Sequence, residues 1–543
     1  MGADGIEYQS FENQLNRNIL NISRKVCSGK YTFYPCREID VDKDPISKPG
    51  AKRNLSISTI RDSLIQNILY EEFLYEQIEE IFKTLDYPAV VSFAYRKGKS
   101  APKAAQAVFK YVNQGYEYFF DADLSKYFDN IPHKRLMRKV QEVFGESEPM
   151  IIQLIYRFIK TDKVLFSSYV NAHLNGKYFG KKIFHIKKPR RIPRGKGVPQ
   201  GGRLSGLLAN LYLHDFDKWV LKTLSKDIDL KYVRYADDFI ILVKTKKDLE
   251  ICYKKTKEIL NSLELSLSED KCIKKHISNQ RISFVGFDID HKNIRVREKN
   301  VNKYQRRIND IIDSFSLEKN VNDPHILLRK VIKRINYKVA GFSGEEICPW
   351  CCSKKRGLPR SWMSFFKIVT DVDQLRDLDN WTRTQIYNFF FKKYNMRVSR
   401  ADLRKAGLQS LVKGKYKSNH SKIKPCLCDI EKNGIWFYAK QLFQGKSFTT
   451  LARRKSFLVR KVDNCKIIVD INKKIYEIKR QDFEKIWDEL LIKKSLSRSQ
   501  LEISGYKNTS QIVALLNELP AVENSINPIR LYFLEKRVAH FLE

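Results

Sequence analysis

The stretch KYVRYADDFIILVK, residues 231–244, decides how this chain is read. Two runs of β-favouring residues flank Ala236-Asp237-Asp238, the pattern of two short strands around a tight turn. An acid among apolar residues is costly unless it is paired or bound to metal. Two adjacent acids also repel each other, and a cation relieves both problems. Carboxylate oxygens are hard ligands, which favours Mg²⁺ or Mn²⁺ over Zn²⁺. Taken alone, Asp-Asp is equally what a plain polar turn looks like. Upstream, YEYFFDADL (116–124) is a second apolar and aromatic run, a buried strand that ends in carboxylates at Asp123. Two metal ions held by Asp123, Asp237 and Asp238 would clamp the attacking and leaving oxygens of an in-line phosphoryl displacement.

Outward from these strands the pattern is largely helical. Leu204, Leu207, Leu208, Leu211 and Phe216 mark one amphipathic helix, and apolar residues recur at helical spacing from Asp62 to Leu85. Residues 133–160 and 246–263 are helical again, and FVGFDI (284–289) predicts one further strand. Two loops are rich in cations: AYRKGKSAPKAA (94–105) and the extended KKIFHIKKPRRIPRGKG (181–197). Beyond residue 300 the pattern is mostly helical. Residues 456–480 then predict three short strands divided by Asp463-Asn464 and Asn472-Lys473. Helices follow at 482–491 and 509–518, the second with Thr509 as N-cap.

A chain of 543 residues exceeds what one core usually holds, so two or three domains are expected. Hydrophobic residues make up 43 %, which excludes global disorder. Lys and Arg total 101 against 62 Asp and Glu, a net charge of +39. Such an excess suits a long polyanion, which releases counterions as its phosphates are neutralised. No run reaches the roughly 18 apolar residues of a membrane span. MGADGIEYQS lacks a basic region followed by an apolar one, and Ile6 stands where myristoylation would need Ser or Thr. With ten cysteines read as reduced thiols, the expectation is a cytoplasmic protein with no membrane partner.

Together these residues resemble reverse transcriptases of the group II intron type and their bacterial relatives. DLSKYFDNIPH (123–133), opening with Asp123, is similar to the first catalytic motif, and YADD (235–238) to the second. GVPQGGRLSGLLANLYL (197–213) resembles the loop and helix that hold template and nucleotide. LSEDKCIKK (267–275) and FVGF (284–287) resemble the next motif and the primer grip. GADG (2–5), KRNLSISTIRDSLIQ (52–66) and AYRKGKS (94–100) resemble fingers elements. The resemblance implies an α+β right-hand polymerase, with fingers and palm over 1–290 and a helical thumb over 291–400. Residues 401–543 would form an additional small α+β C-terminal domain of unknown function.

By the same resemblance, Asp123 and Asp237 would bind metal directly, with Asp238 in support and the main-chain oxygen of Leu124 contributing. Lys52 and Arg53 would grip the triphosphate, Gln200 would touch the template–nucleotide pair, and Lys271 would protonate pyrophosphate. Phe128, five residues after Asp123, stands where the family has its steric gate against a ribose 2′-OH. Arg96, Lys97 and Lys99 would meet template phosphates, or form only a solvated face. Tyr235 and the primer-grip Gly286 would lie near the primer. Two departures stand out: Gly206 where the family has Pro, and Ser63 where it has Arg.

The expected activity is RNA-directed DNA synthesis from dNTPs, with an RNA template or non-coding RNA and a DNA primer or product as partners, and self-association left open. The expected setting is bacterial antiviral defence; an intron-encoded maturase, template-independent synthesis and a non-catalytic RNA-binding scaffold are the alternatives. Cys348, Cys351, Cys426 and Cys428 could form a zinc site, but their irregular spacing favours free thiols.

Overall fold

The computed structural model describes residues 2–44, 48–145, 147–165, 190–316, 323–339, 346–347, 354–355, 361–416, 430, 434–451, 455–472, 474–519, 522–526 and 529–533. Contacts group them into two units: Met1–Arg307 with Ile368–Gln374, and Ile308–Lys367 with Leu375–Glu543. This grouping runs the first unit past residue 290 and does not separate 291–400 from 401–543. No helix among the described residues is long and apolar enough to cross a membrane.

Two four-stranded sheets form the frame of the fingers and palm in the first unit. The palm sheet comprises β3 (Tyr118–Asp123), β6 (Leu230–Tyr235), β7 (Asp238–Val243) and β8 (Ile273–His276), in the order β6-β7-β3-β8. All its pairings are antiparallel. Side chains alternate between faces along each strand. Phe120 and Ala122 of β3, with Phe239, Ile241 and Val243 of β7, therefore share one face and join the main apolar core. The helices Arg203–Trp219 and Lys246–Ser262 cover that face through Leu207, Leu211, Phe216, Leu249 and Leu260. Each such fully buried side chain is worth roughly 1.5–3 kcal/mol. The alternation leaves Asp121 and Asp123 on the opposite face, and the helix-covered core fixes which face that is.

The fingers sheet joins β1 (Cys36–Asp44), β2 (Lys48–Ile57), β4 (Lys163–Leu165) and β5 (Arg191–Ile192) in the order β2-β1-β4-β5. After it, Thr59 caps the helix Ile60–Ile68 by accepting from the Asp62 amide. A π-helical turn over Leu69–Leu74 links this helix to Tyr75–Lys83. Ser63 has a local role here: its hydroxyl donates to the Thr59 carbonyl at 2.9 Å.

FVGFDI is not one strand. β9 (Ile282–Phe284) and β10 (Phe287–Ile289) pair antiparallel across a reversal at Val285-Gly286, and β11 (Ile294–Val296) completes a three-stranded sheet. The reversal requires both turn residues at positive φ, +43° at Val285 and +94° at Gly286.

In the second unit, the helix Pro324–Val339 buries Leu327, Leu328, Val331, Ile332 and Ile335. Arg329, Lys330, Lys333 and Arg334 are exposed on its other side. Short strands β12 (Glu346–Ile347) and β13 (Lys354–Lys355) pair with each other. Farther on, β14 (Ser447–Thr449), β15 (Ser456–Val462), β16 (Lys466–Ile471) and β17 (Lys474–Lys479) form an antiparallel meander in chain order. The helix Arg480–Lys493 follows, then β18 (Ser495–Ser497), the helices Arg498–Ile503 and Thr509–Leu516, and the hairpin β19 (Val522–Ile526) with β20 (Ile529–Phe533). The last three strands pair in the order β18-β20-β19, and one core cluster joins them to the meander. Thr509 is the first helical residue rather than the cap; Asn508 precedes it in the left-handed region, and the Thr509 hydroxyl donates to Glu502.

Candidate active site

The hairpin of β6 and β7 turns at Ala236-Asp237, with Tyr235 opposite Asp238. Ala236 sits in the left-handed region, φ +60°, where residues with a Cβ are disfavoured. A buried arginine holds the turn in place. Arg234 is fully buried; its Nε donates to Asp217 Oδ1 at 2.7 Å, and its Nη1 donates to Asn210 Oδ1 at 2.8 Å and to the Ala236 carbonyl at 2.9 Å. Tyr232 donates to the same Asp217 carboxylate at 2.7 Å. Burial works to lower the Arg234 pKa, and the Asp217 carboxylate more than offsets it, so the guanidinium stays charged. Asp217 and Asn210 both come from the helix Arg203–Trp219, which thereby positions the acidic turn.

In the β3–β7 register Asp123 lies directly opposite Asp238. Directly opposed residues of an antiparallel pair project from the same face. Asp237 occupies the adjoining turn, and all three aspartates line one cavity of about 710 Å³. Lys52, Leu124, Phe128 and Gln200 line the same cavity. Two residues before Asp123, burial pushes Asp121 up to about 7, against the pull of Arg297.

The floor is a tightly packed crossing of two loops. The Val198 amide donates to the Phe128 carbonyl at 2.8 Å, and the Gly197 amide donates to the Ile131 carbonyl at 2.8 Å. A Cβ on Gly197, already at φ +80°, would come within 2.6 Å of two main-chain oxygens, those of Phe128 and Asp129. Only glycine lets the two loops approach this closely. The Gln200 carbonyl accepts from the Ser56 amide at 2.7 Å, while its side-chain amide reaches Asp129 at 3.4 Å. Lys52 is exposed, with Asp40 at 4.0 Å.

Among the described residues no cluster of three or more His, Cys, Asp or Glu forms a ready metal cage. The donor set still fits Mg²⁺, which binds through one or two carboxylates and completes its shell with water and substrate phosphates. Asp123, Asp237 and Asp238 are the residues that would hold it.

The remaining expected residues fall in several places. Arg96 is a correction. Its side chain is buried and spans Glu79 (2.9 and 2.8 Å), Asp86 (3.0 and 2.7 Å) and the Ser92 carbonyl (2.9 Å), so it fastens the loop instead of facing phosphate. Lys97 lies over the Tyr75 ring at 4.1 Å and pairs with Glu71 at 3.0 Å; Lys99 pairs with Asp86 at 3.6 Å. Tyr235 is half-buried, which raises its pKa, and Gly286 accepts from Asn300 through its carbonyl. Neither lines the cavity. Arg53 lies on β2 opposite Val41, and Lys271 lies in a short 3₁₀ turn; both side chains fall outside the described residues, as do Cys348, Cys351, Cys426 and Cys428.

Sequence reasoning missed Arg234 and Tyr95. A cation inside the apolar run Val233–Tyr235 was the available signal for the first. For the second, a tyrosine amid the AYRKGKS cations gave no comparable signal.

Residues 42–289 match the family model of reverse transcriptase (RNA-dependent DNA polymerase). That span encloses every residue placed in the cavity. Group II intron-encoded protein LtrA of Lactococcus lactis subsp. cremoris is 28 % identical over 333 residues, 50 % of this chain and 49 % of that protein. Protein YkfC of Escherichia coli K12 is 26 % identical over 335 residues, 55 % of this chain and 78 % of that protein. The chain thus spans about half the length of the first of these relatives. Apo telomerase from Candida tropicalis aligns over 79 % of this chain and 70 % of that chain, with 12 % identity and a TM-score of 0.39. That likeness is too slight to argue from; the α+β right-hand assignment rests on the palm sheet and the family match.

Proposed function

We propose that the reverse-transcriptase-like segment is an RNA-directed DNA polymerase that extends a primer 3′-OH with dNTPs. One observation carries this reading: three aspartates, from two adjacent strands and the adjoining turn, line a cavity that also holds a cation, a bulky ring and an amide. Lys52 would meet triphosphate oxygens. Phe128 would press against the sugar at C2′ and disfavour a hydroxyl there. Gln200, held by Ser56 through its main chain, would contact the nascent pair. The primer 3′-oxygen attacks the α-phosphorus as its proton passes to solvent, the α–β bridging P–O bond breaks, and pyrophosphate leaves, with Lys271 as a source of the proton that pyrophosphate takes up. A divalent cation bound by the aspartates would supply charge neutralisation for these phosphates. The protein's part is positioning and fixed charge.

Similarity to intron-encoded proteins supports an intron-type setting. Service in antiviral defence with a dedicated non-coding RNA is the other setting, and the RNA that copurifies would separate them. The protein is purified with its bound RNA, that RNA is sequenced, and Mg²⁺ and labelled dNTPs are supplied. DNA synthesis is expected to fall about 10³-fold or more in Asp237→Ala, Asp238→Ala. Equal synthesis by both proteins, or none by the wild type on bound RNA and on a primed template, would sink the proposal.

A further inference from the structure

Tyr95 is held in a strained backbone conformation. Its φ is +57°, in the left-handed region that a residue with a Cβ avoids. The residue is 47 % exposed, so the strain is not accompanied by full burial of the side chain. Strain of this kind persists where the surroundings over-determine it, and it gathers at ligand sites.

The surroundings here are specific. On one side, the Ala94 carbonyl accepts from Asn210 Nδ2 at 2.6 Å. On the other, Arg96 is clamped by Glu79 and Asp86, and the Lys97 amide donates to the Tyr75 hydroxyl at 2.7 Å. Between these anchors the ring lies on Gly206. A Cβ at that position would stand 2.5, 2.7 and 2.8 Å from three ring carbons. Gly206 therefore leaves the space that the ring occupies. The ring also meets Phe128 edge-on, with centroids 6.3 Å apart, and it lines the cavity of the three aspartates.

From this the geometry points to Tyr95 as a stacking platform for a nucleobase of the nascent base pair, seated by Gly206. The assignment rests on the polymerase reading of the cavity. A rigid aromatic set beside the sugar gate presents a π-face to a base, and such stacking tolerates any base. Two bases could supply the partner: the templating base and the base of the incoming nucleotide.

The test uses the full-length protein with a primer that lacks its 3′-OH, so that binding is read without chemistry. In one arm 2-aminopurine is the templating base of a primer–template; in the other it is the base of the incoming triphosphate. Stacking quenches its fluorescence. Tyr95→Phe should keep the quench. Tyr95→Leu and Gly206→Ala should lose it and weaken binding in that arm roughly 5- to 100-fold. Tyr95→Gly relieves the backbone strain, so it should fold at least as well and still lose the quench, which a merely structural tyrosine would not do. The arm that responds names the base. An equal signal from parent and Tyr95→Gly in both arms overturns the platform. A Tyr95-dependent quench in a protein whose wild type makes no DNA would keep the platform and overturn the polymerase; DNA synthesis without that quench would do the reverse.

Discussion

The acidic turn 235–238 and the basic loop 95–100 look alike in outline. Each is short and charged, and each has a residue in the left-handed region at or next to its start, Ala236 or Tyr95. Asn210 is bonded to both, through Arg234 and through the Ala94 carbonyl. They spend their charges differently. The turn keeps Asp237 and Asp238 on the cavity, and the arginine behind it is buried against Asp217. The loop turns its leading cation inward, to Glu79 and Asp86. The sign of a charged segment therefore does not say whether it meets a ligand or holds the fold; its partners decide that.

The largest effect that would break this comparison is on stability. Arg234→Met should cost about 3–5 kcal/mol, because it strands the buried Asp217 carboxylate. Arg96→Met should cost less, about 2–3 kcal/mol, since its two carboxylates reach water more readily. Denaturant midpoints of the two variants measure both. If Arg96→Met left stability unchanged and weakened RNA binding instead, the loop would be a phosphate contact after all.

A smaller effect sharpens the same contrast at the cavity. Phe128→Ala removes a ring that lines the cavity with Asp123 and leaves every charged side chain of both segments in place. Discrimination between dNTP and rNTP, read as a ratio of kcat/KM values, should fall roughly 10- to 100-fold. Unchanged discrimination would return Phe128 to ordinary packing and leave the gate unassigned.

Legibility in the sequence followed the range of the interactions. The hairpin at Asp237 could be read because β-favouring runs and a turn are local, and so could the helix beginning near Leu204 and the strands parted by Asp463-Asn464. Arg96 was misread because its partners Glu79 and Asp86 lie 17 and 10 residues away, at no helical or strand spacing. Arg234 and Asp217 are likewise 17 residues apart and meet only once the helix packs on the sheet. The reversal inside FVGF was hidden because it places a β-branched residue, Val285, at positive φ. The departure at Gly206 was visible, but its consequence depends on the Tyr95 ring that the fold brings over it.

The smallest expected effect concerns the loop behind the cavity. His133 Nε2–H donates to the Gly197 carbonyl at 2.7 Å, at the glycine that lets the two loops cross. Its Nδ1 is buried with no partner among the described residues. Burial lowers the His133 pKa; the Gly197 bond raises it, and Lys160 and Arg194 lower it further. The net shift is downward from 6.5, so the folded ring stays neutral where the unfolded one takes up a proton. As pH falls below 6.5 the unfolded state gains protons that the folded state does not, and stability drops until the folded pKa is passed. His214, half-buried and also shifted down by desolvation, adds a slope of the same sign. Unfolding free energies at pH 7.5 and pH 5 should therefore differ less in His133→Gln than in the parent, with the part due to His214 left in place. A difference equal to the parent's would mean that His133 does not stay neutral at this crossing. An unchanged pH slope with altered nucleotide discrimination would instead tie the histidine to Gln200 and the cavity side of the loop.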